Sequence, residues 1–214
     1  MSRTTAARTL PAYLDSLVPP RPLEMQHMEA YAAKTGFPIV GPASGYFCYS
    51  ITKMIGARKI FELGSGYGYS TAWFAKAVQE NGGGIVHHVV WDAELSGLAQ
   101  GHLTKLGLNN LISYTVGEAV EALKQTEGQF DLIFNDIHKE TYPESLAVIE
   151  EKLRPGGILM IDNMLWSGRI FDDSDQSPAT QGVRKFTDMI TKNENWTANL
   201  IPIRDGLIMA QKRK

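Results

Sequence analysis

The stretch Phe61-Glu62-Leu63-Gly64-Ser65-Gly66-Tyr67-Gly68-Tyr69-Ser70-Thr71 predicts the class of fold. An apolar run leads into an acidic residue, then into three glycines at alternate positions, and a helical pattern follows. A strand, a tight turn and a helix start in this order are typical of α/β folds that bind nucleotide-like ligands. The glycines let the backbone approach such a ligand, and the amides at the helix N-terminus face its polar end. A glycine-rich turn without a ligand is the alternative.

Strand and helix patterns alternate after this turn and predict an α/β fold with a mostly parallel sheet. We expect strands at Lys59–Leu63, Ile85–Trp91, Leu111–Val116, Phe130–Asp136 and Gly157–Asp162. The helices expected between them are Ser70–Gln79, Glu94–Lys105, Glu118–Lys124 and Tyr142–Leu153. After a helix at Ala179–Thr191, the apolar runs Trp196–Ile203 and Leu207–Lys212 flank Arg204-Asp205-Gly206, which is a hairpin signal. We therefore expect a Rossmann-like, seven-stranded sheet that ends in an antiparallel hairpin, with helices on both faces.

The first 56 residues have a helical pattern, and we expect them to cap the core formed by residues 57–214 within a single domain. The expected helices are Leu10–Leu17, Leu23–Lys34 and Gly45–Ile55, with Pro38–Ser44 as a loop. A second long loop, Ser167–Pro178, carries three aspartates and is expected to be either an active-site lid or a mobile surface loop.

Composition narrows the class of protein. The chain has 214 residues and a net charge of −2, so no global basic field demands nucleic acid as a partner. Residues 1–60 carry seven Lys/Arg against three acids, which predicts either a local basic face or an ordinary solvated surface. Cys48 is the only cysteine, which excludes intrachain disulfides and cysteine metal sites, predicts a buried small hydrophobe and fits a reducing cytoplasm. The sequence contains no run of 18 apolar residues, so no membrane span is expected. Met1–Ala7 is not followed by the apolar segment of a signal peptide.

Oxygen-bearing side chains follow two of the expected strands. Asn135-Asp136 comes at the end of one strand and Asp162-Asn163 at the end of another. Because ligands bind beyond the carboxyl ends of the strands in open α/β sheets, Asp136, Asp162 and Asn163 are expected to converge beside the glycine turn. Two carboxylates and an amide carbonyl form a hard ligand set that suits Mg²⁺ or Ca²⁺. Helix caps or turns are the alternative role for each residue taken alone.

Lys139 follows Asp136 by three residues, about one helical turn. A nearby divalent cation disfavours the ammonium form of a lysine, so Lys139 is a candidate general base for a hydroxyl proton. His138 is a candidate base or substrate contact. An exposed surface position is the alternative for both residues.

Together, five ordered motifs resemble the metal-dependent class I O-methyltransferases, the group of catechol and caffeoyl-CoA O-methyltransferases and many small bacterial relatives. A dinucleotide fingerprint would have Gly or Ala where Tyr69 stands, whereas the G-x-G-x-G spacing after Glu62 is similar to the first motif of S-adenosylmethionine (SAM) methyltransferases. The other motifs are Phe130–Phe134 with Asp136 and Lys139, Leu153–Gly157 leading to Asp162-Asn163, Leu165–Arg169, and Ile201–Ile203 with Asp205-Gly206-Leu207.

The resemblance implies a role for each matching position. Glu62 and the glycine turn (Gly64, Ser65, Gly66 and Gly68) would hold SAM, with Ser70 near its methionine carboxylate. Val40 would line the cofactor pocket, and Gly117 to Ala119 would border the adenine. Asp136, beside the cofactor, would bind Mg²⁺ (or Ca²⁺ or Mn²⁺) together with Asp162 and Asn163. Lys139 would be the base, and Trp166 and His138 would contact the substrate.

One position departs from the family pattern. The family usually ends its second strand with an acidic residue that binds the ribose hydroxyls, but Val90 stands there, and Asp92 two residues later is the candidate replacement.

The acceptor stays open between two classes. A small catechol-like substrate fits a bidentate metal site. The N-terminal segments around Tyr13–Leu17 and Met28–Ala32 also look like a bacterial branch that methylates 5-hydroxyuridine in tRNA. A non-catalytic SAM-binding protein and a nicotinamide-dependent oxidoreductase are the alternatives from other classes. Relatives are often dimers, so we expect a homodimer.

Overall fold

Seven strands form one sheet in the computed structural model, which describes residues 9–213. They are β1 (Lys59–Leu63), β2 (Ile85–Val90), β3 (Ile112–Val116), β4 (Phe130–Asn135), β5 (Leu153–Ile161), β6 (Trp196–Ile201) and β7 (Leu207–Lys212). Their order across the sheet is β3-β2-β1-β4-β5-β7-β6. The first five strands are parallel, and β7 lies antiparallel between β5 and β6. The predicted fold class is therefore confirmed.

Eight helices surround this sheet in the described part of the chain. They are α1 (Leu10–Ser16), α2 (Leu23–Thr35), α3 (Gly41–Met54), α4 (Tyr69–Glu80), α5 (Ala93–Lys105), α6 (Ala119–Gln125), α7 (Tyr142–Lys152) and α8 (Pro178–Thr191). One core cluster packs α2 to α5 against the sheet around Phe74 and Phe134, and a second packs α6 to α8 around Phe130 and Phe186. Helices thus cover both faces, as a buried parallel sheet requires. Within residues 9–213, no helix has the length and apolarity needed to cross a membrane.

The predicted loop at Pro38–Ser44 is wrong in its second half, because α3 already begins at Gly41. Pro42 lies in the first turn of α3, where a missing N–H costs nothing since the helix offers it no acceptor. Cys48 of this helix is 1% exposed, which confirms its predicted burial. Strand β5 begins at Leu153 rather than at Gly157, since Leu153 pairs with Phe130 before the register shifts.

The loop between β5 and α8 is held by hydrogen bonds to α8. Arg184 donates to four carbonyl oxygens of the loop, those of Arg169, Ile170, Asp172 and Asp175. Arg169 also pairs with Asp175 at 2.7 Å. The predicted absence of a signal peptide concerned Met1–Ala7, which lies outside the described residues, as do Arg3 and Arg8 of the basic N-terminal segment.

The ligand-binding crevice is expected at the centre of the sheet. The strand order reverses between β1 and β4, which leaves a crevice at the carboxyl ends of these two strands. Gly64 follows β1 with φ +88°, and a Cβ there would collide with the carbonyl oxygen of Asp136 beyond β4. The amide of Asp136 donates to the carbonyl of Leu63 at 2.8 Å. Only glycine therefore allows the two strand ends to meet this closely.

Candidate active site

A cavity of about 860 Å³ opens at the carboxyl ends of β1, β2, β4 and β5. Most of the residues singled out from the sequence lie in its wall. They are Val40, Gly64, Ser65, Gly66, Ser70, Gly117, Ala119, Asp136, His138, Lys139, Asp162, Asn163 and Trp166. These residues come from five separate segments of the chain, so the fold brings the glycine turn and the acidic strand ends into one site.

Three predicted residues do not line this cavity. Glu62 and Gly68 lie next to the turn but outside the cavity wall. Asp92 is the N-cap of α5, where its carboxylate accepts hydrogen bonds from the amides of Glu94 (2.8 Å) and Leu95 (3.1 Å). Both bonds go to Oδ1, so Asp92 holds the start of α5 with one oxygen, while Val90 and Trp91 beside it line the cavity.

The glycine turn presents backbone donors to the cavity. Gly68 has φ +90° and starts α4, so the amides of the first turn of that helix lack helical acceptors. The Ser65 hydroxyl accepts from the amide of Val89 at 3.0 Å, and the Gly68 amide donates to the carbonyl of Ser65. This arrangement fixes the turn and suits a carboxylate or another anionic group at the start of α4.

Glu62 is fully buried, and neither carboxylate oxygen has a hydrogen-bond partner among the described residues. Burial raises the pKa of Glu62 to about 7. An unpaired buried carboxylate is costly, and a cationic ligand group would relieve that cost. SAM carries such a group in its amino function, so the residues around the turn fit this cofactor.

The N-terminal helices pack on the glycine turn and close it from one side. The hydroxyl of Tyr67 donates to the carbonyl of Met28 at 2.9 Å, and that of Tyr69 donates to Glu29 at 2.8 Å. Phe37 contacts the ring of Tyr67 and lines the cavity. The sequence analysis missed Phe37, and its position after the helix-ending Gly36 gave no signal for a site.

Lys139 and Asp136 form an ion pair at the acidic end of the cavity. The Lys139 Nζ lies 2.6 Å from Asp136 Oδ1 and 3.2 Å from the carbonyl oxygen of Ile137. The lysine side chain is 9% exposed, which contradicts a solvated surface position. Gly182 of α8 approaches so closely that a Cβ there would collide with the Lys139 carbonyl oxygen. The lysine is thus held from behind and directed at the site.

Asp162 is 1% exposed, and its two carboxylate oxygens have different surroundings. Oδ2 accepts from the Arg204 guanidinium at 3.2 Å, whereas Oδ1 is buried without a partner among the described residues. Burial and the nearby charge of Asp136 raise the pKa of Asp162 to about 7. The neighbouring Asn163 has φ +60° and donates its amide nitrogen to Asp205 at 3.2 Å.

The acidic end fits a hard divalent cation. Within residues 9–213 no group of three or more His, Cys, Asp or Glu side chains clusters as a metal site, so a cation here would depend on Asp136, Asp162 and the amide of Asn163. Two carboxylates and one amide oxygen leave positions for water or substrate, as Mg²⁺ prefers. The unpartnered Oδ1 of Asp162 is the observation that favours such an ion.

Aromatic residues surround the mouth of the cavity. His138 is exposed, and its ring centroid lies 5.0 Å from that of Trp91, which follows β2 and is 64% exposed. Trp166 is half-buried, with Lys139 Nζ 5.9 Å from its ring. The sequence analysis assigned no role to Trp91, although it directly follows Val90, the apolar residue of the cavity wall that occupies the expected acidic position.

Comparisons with known proteins agree on one family. The family model described as O-methyltransferase matches residues 22–213. A catechol O-methyltransferase of Niastella koreensis is 31% identical over 189 residues, which covers 83% of this chain and 85% of that protein. A caffeoyl-CoA O-methyltransferase 2 of Zea mays is 28% identical, covering 94% and 81%. The crystal structure of an O-methyltransferase from Bacillus cereus in complex with SAH superposes with a TM-score of 0.86 at 26% identity, covering 95% of this chain and 97% of that one.

Proposed function

This chain belongs to the O-methyltransferase family, and we propose that it methylates a hydroxyl of a small catechol-like acceptor with the help of a divalent cation. That it is a SAM-dependent O-methyltransferase follows from its family and its relatives. The cation, the acceptor class and the roles of individual residues are the proposed part. We also propose the cytoplasm as its location and a homodimer as its assembly.

One observation carries the proposal. Asp136, Asp162 and Lys139 lie in the wall of the same cavity as the glycine turn, with Lys139 Nζ 2.6 Å from Asp136. SAM binding alone does not require a buried lysine beside two carboxylates. The arrangement suits proton removal from an acceptor oxygen next to the methyl donor.

SAM would supply the methyl group from its sulfonium and leave as the neutral thioether. A divalent cation held by Asp136, Asp162 and Asn163 would supply charge that lowers the pKa of an acceptor hydroxyl. Lys139 would accept the hydroxyl proton on Nζ, with the Asp136 carboxylate 2.6 Å away to stabilise the ammonium form. Trp166 lines the cavity and would limit the positions of the acceptor ring, while Val40 would line the part that holds the cofactor. Alignment of oxygen, methyl carbon and sulfur then supplies the remaining rate enhancement by proximity.

The surface charges favour a small acceptor over tRNA. Of the basic residues between positions 9 and 60, four already bond within the chain: Arg21 to Glu29, Lys53 to Glu80, Arg58 to two loop carbonyls and Lys59 to the Glu127 carbonyl. Carboxylates neutralise two of these charges, those of Arg21 and Lys53, so the positive excess of this segment is smaller than its number of basic residues suggests. Binding of a phosphate backbone depends on such an excess.

The test is methyl transfer from labelled SAM to a catechol panel and, in parallel, to bulk tRNA that lacks its wobble modification. Each acceptor is assayed with Mg²⁺ and with excess chelator. Lys139→Met is compared with Lys152→Met, a matched control whose Nζ donates to the Thr126 carbonyl at 2.9 Å away from the cavity. We expect labelling of catechols that stops with chelator and with Lys139→Met but continues with Lys152→Met.

Two results would contradict the proposal. Labelling that continues unchanged in excess chelator would exclude the metal-assisted reaction. Labelling of tRNA without labelling of any catechol would transfer the activity to the RNA branch.

A further inference from the structure

We infer that Arg204 and Asp205, in the turn between β6 and β7, are positioning residues that orient the two metal-binding side chains after β5. The inference rests on the proposed metal site. Neither residue was given a functional role from the sequence, where Asp205-Gly206 indicated a hairpin turn and formed part of a family motif. The pairing of this turn with the segment after β5 carries the argument.

Arg204 fixes one oxygen of Asp162 and leaves the other free. Its guanidinium donates to Asp162 Oδ2 at 3.2 Å, and its side chain is about one-third exposed against 2% for Asp162. Because Oδ2 is held, the buried and unpartnered Oδ1 is left as the metal-binding atom. Hydrogen bonds to the second oxygen of a ligating carboxylate orient it and tune its affinity for the metal.

Asp205 does the same for the amide of Asn163. Its Oδ2 accepts from Asn163 Nδ2 at 3.2 Å, and its Oδ1 accepts from the Ser167 amide at 2.6 Å. Since the nitrogen of the Asn163 amide is bound to a carboxylate, the carbonyl oxygen is the end that stays available for a cation. The pair therefore decides which end of the amide faces the site.

Backbone hydrogen bonds hold the two segments in register. The amide of Leu165 donates to the Asp205 carbonyl at 2.8 Å, and that of Met164 to the Gly206 carbonyl at 2.9 Å. Arg204 has φ +51°, a left-handed conformation that side chains rarely adopt and that clusters at functional sites. An ordinary turn would gain nothing from an arginine in this conformation, whereas an arginine that orients Asp162 explains it.

The experiment measures Mn²⁺ binding to the full chain by the loss of the free-ion electron paramagnetic resonance signal, without acceptor. The variants are Arg204→Gln, Arg204→Gly and Asp205→Ala, with Arg204→Lys as the conservative change. Glycine accepts φ +51° freely, so Arg204→Gly removes the guanidinium without straining the turn. Arg154→Gln is the matched control, because Arg154 is 38% exposed and pairs with Asp131 at 2.7 Å away from the cavity. SAM affinity, measured by calorimetry, reports on the folded cofactor site.

We expect the Mn²⁺ dissociation constant to rise about 10- to 100-fold in the glutamine, glycine and alanine variants. Arg204→Lys should restore part of the affinity, and Arg154→Gln should bind as the wild type does. SAM affinity should stay within about twofold in all variants, since none contacts the glycine turn.

Unchanged or tighter Mn²⁺ binding in both Arg204→Gln and Arg204→Gly would overturn the role of Arg204, with tighter binding meaning that the guanidinium competes with the metal. Unchanged binding in Asp205→Ala would overturn the role of Asp205. If the wild type itself binds no Mn²⁺, the metal part of the proposed function fails and this inference fails with it. If the wild type binds Mn²⁺ and the variants bind it equally well, this inference fails while the proposed function stands.

Discussion

The two halves of the cavity are built in different ways. The cofactor half is mostly main chain: a turn of five residues between β1 and α4, with one buried acid, Glu62, next to it. The acidic half is made of side chains from three separate segments, around Asp136, Asp162 and Arg204, held by ion pairs of 2.6 and 3.2 Å. A site made of backbone tolerates side-chain changes, whereas a site made of ion pairs loses function with each partner. The predictions below test this difference.

Asp162→Ala is expected to have the largest effect. The variant removes a buried ligand and leaves Arg204 without its carboxylate. We expect kcat to fall at least about 10³-fold, since charge stabilisation by a metal is worth several kcal/mol and each 1.36 kcal/mol is tenfold. Steady-state kinetics with a catechol acceptor measure the loss, and calorimetry should find SAM affinity unchanged. Loss of SAM binding in this variant would mean that the two halves are not independent.

Lys139→Met is expected to cause the second-largest loss of activity. Removing a general base costs about 10²- to 10⁴-fold in rate. Because Lys139 touches the acidic half only, the affinity for SAM should stay within a few-fold of wild type. A variant that keeps more than a tenth of the wild-type kcat would show that another group, such as His138 at the cavity rim, removes the proton.

Glu62→Gln tests the one side chain on which the cofactor half depends. We expect SAM affinity to fall about tenfold or more, since hydrogen bonds to charged groups are worth roughly 1.5–3 kcal/mol. Without SAM the same variant should be more stable than wild type at pH 8. The pKa of the buried Glu62 is raised from 4.5 to about 7, so its stability contribution is fully present below pH 4.5 and is lost as pH rises through 7.

Thermal unfolding of the SAM-free proteins from pH 4 to pH 8 measures this effect. The wild type should lose stability relative to Glu62→Gln between about pH 5 and 7 and regain it when SAM is added. Equal pH profiles for the two proteins would contradict the assignment of Glu62 as an unpaired carboxylate. Glu80→Gln, at a partly exposed residue that accepts from Tyr49 away from the cavity, is the control and should change neither quantity.

The same difference explains what the sequence predicts and what it does not. The glycine turn is contiguous, so its strand, turn and helix were placed within one residue from local pattern alone. The convergence of Asp136 with Asp162 was predictable too, because both follow parallel strands and such ends share an edge. The roles of Arg204 and Asp205 were not predictable, because the antiparallel return of β7 beside β5 brings them to the site. Their local pattern indicates a turn and a family motif without assigning either residue a role.

Two further positions show how ambiguous a local pattern is. Spacing made Asp92 a candidate for ribose binding, but spacing does not show that its Oδ1 caps α5. The start of α3 was predicted four residues too late because a proline such as Pro42 is typical both of loops and of the first turn of a helix. In both cases a short-range signal had two structural meanings, and only the fold distinguishes them.

The smallest effect is expected from Glu24→Gln, which tests whether a contact outside both halves matters to either. Glu24 of α2 accepts from His102 at 2.6 Å and from Lys105 at 3.1 Å, which joins α2 to α5. Burial alone would raise its pKa, but hydrogen bonds from His102, Lys105 and His27 lower it from 4.5 to about 2.

The contribution of Glu24 is therefore present above pH 4.5 and is lost as pH falls towards 2. We expect Glu24→Gln to lower the free energy of unfolding by about 1 kcal/mol at pH 7, as a partly exposed ion pair does. Urea unfolding at pH 7 and pH 3 should show that difference shrinking at the lower pH. SAM and Mn²⁺ affinities should not change, because α2 reaches the glycine turn through Met28 and Glu29, one helical turn beyond Glu24. A change in SAM affinity would place the α2–α5 contact within the cofactor half, which would then depend on side chains as the acidic half does.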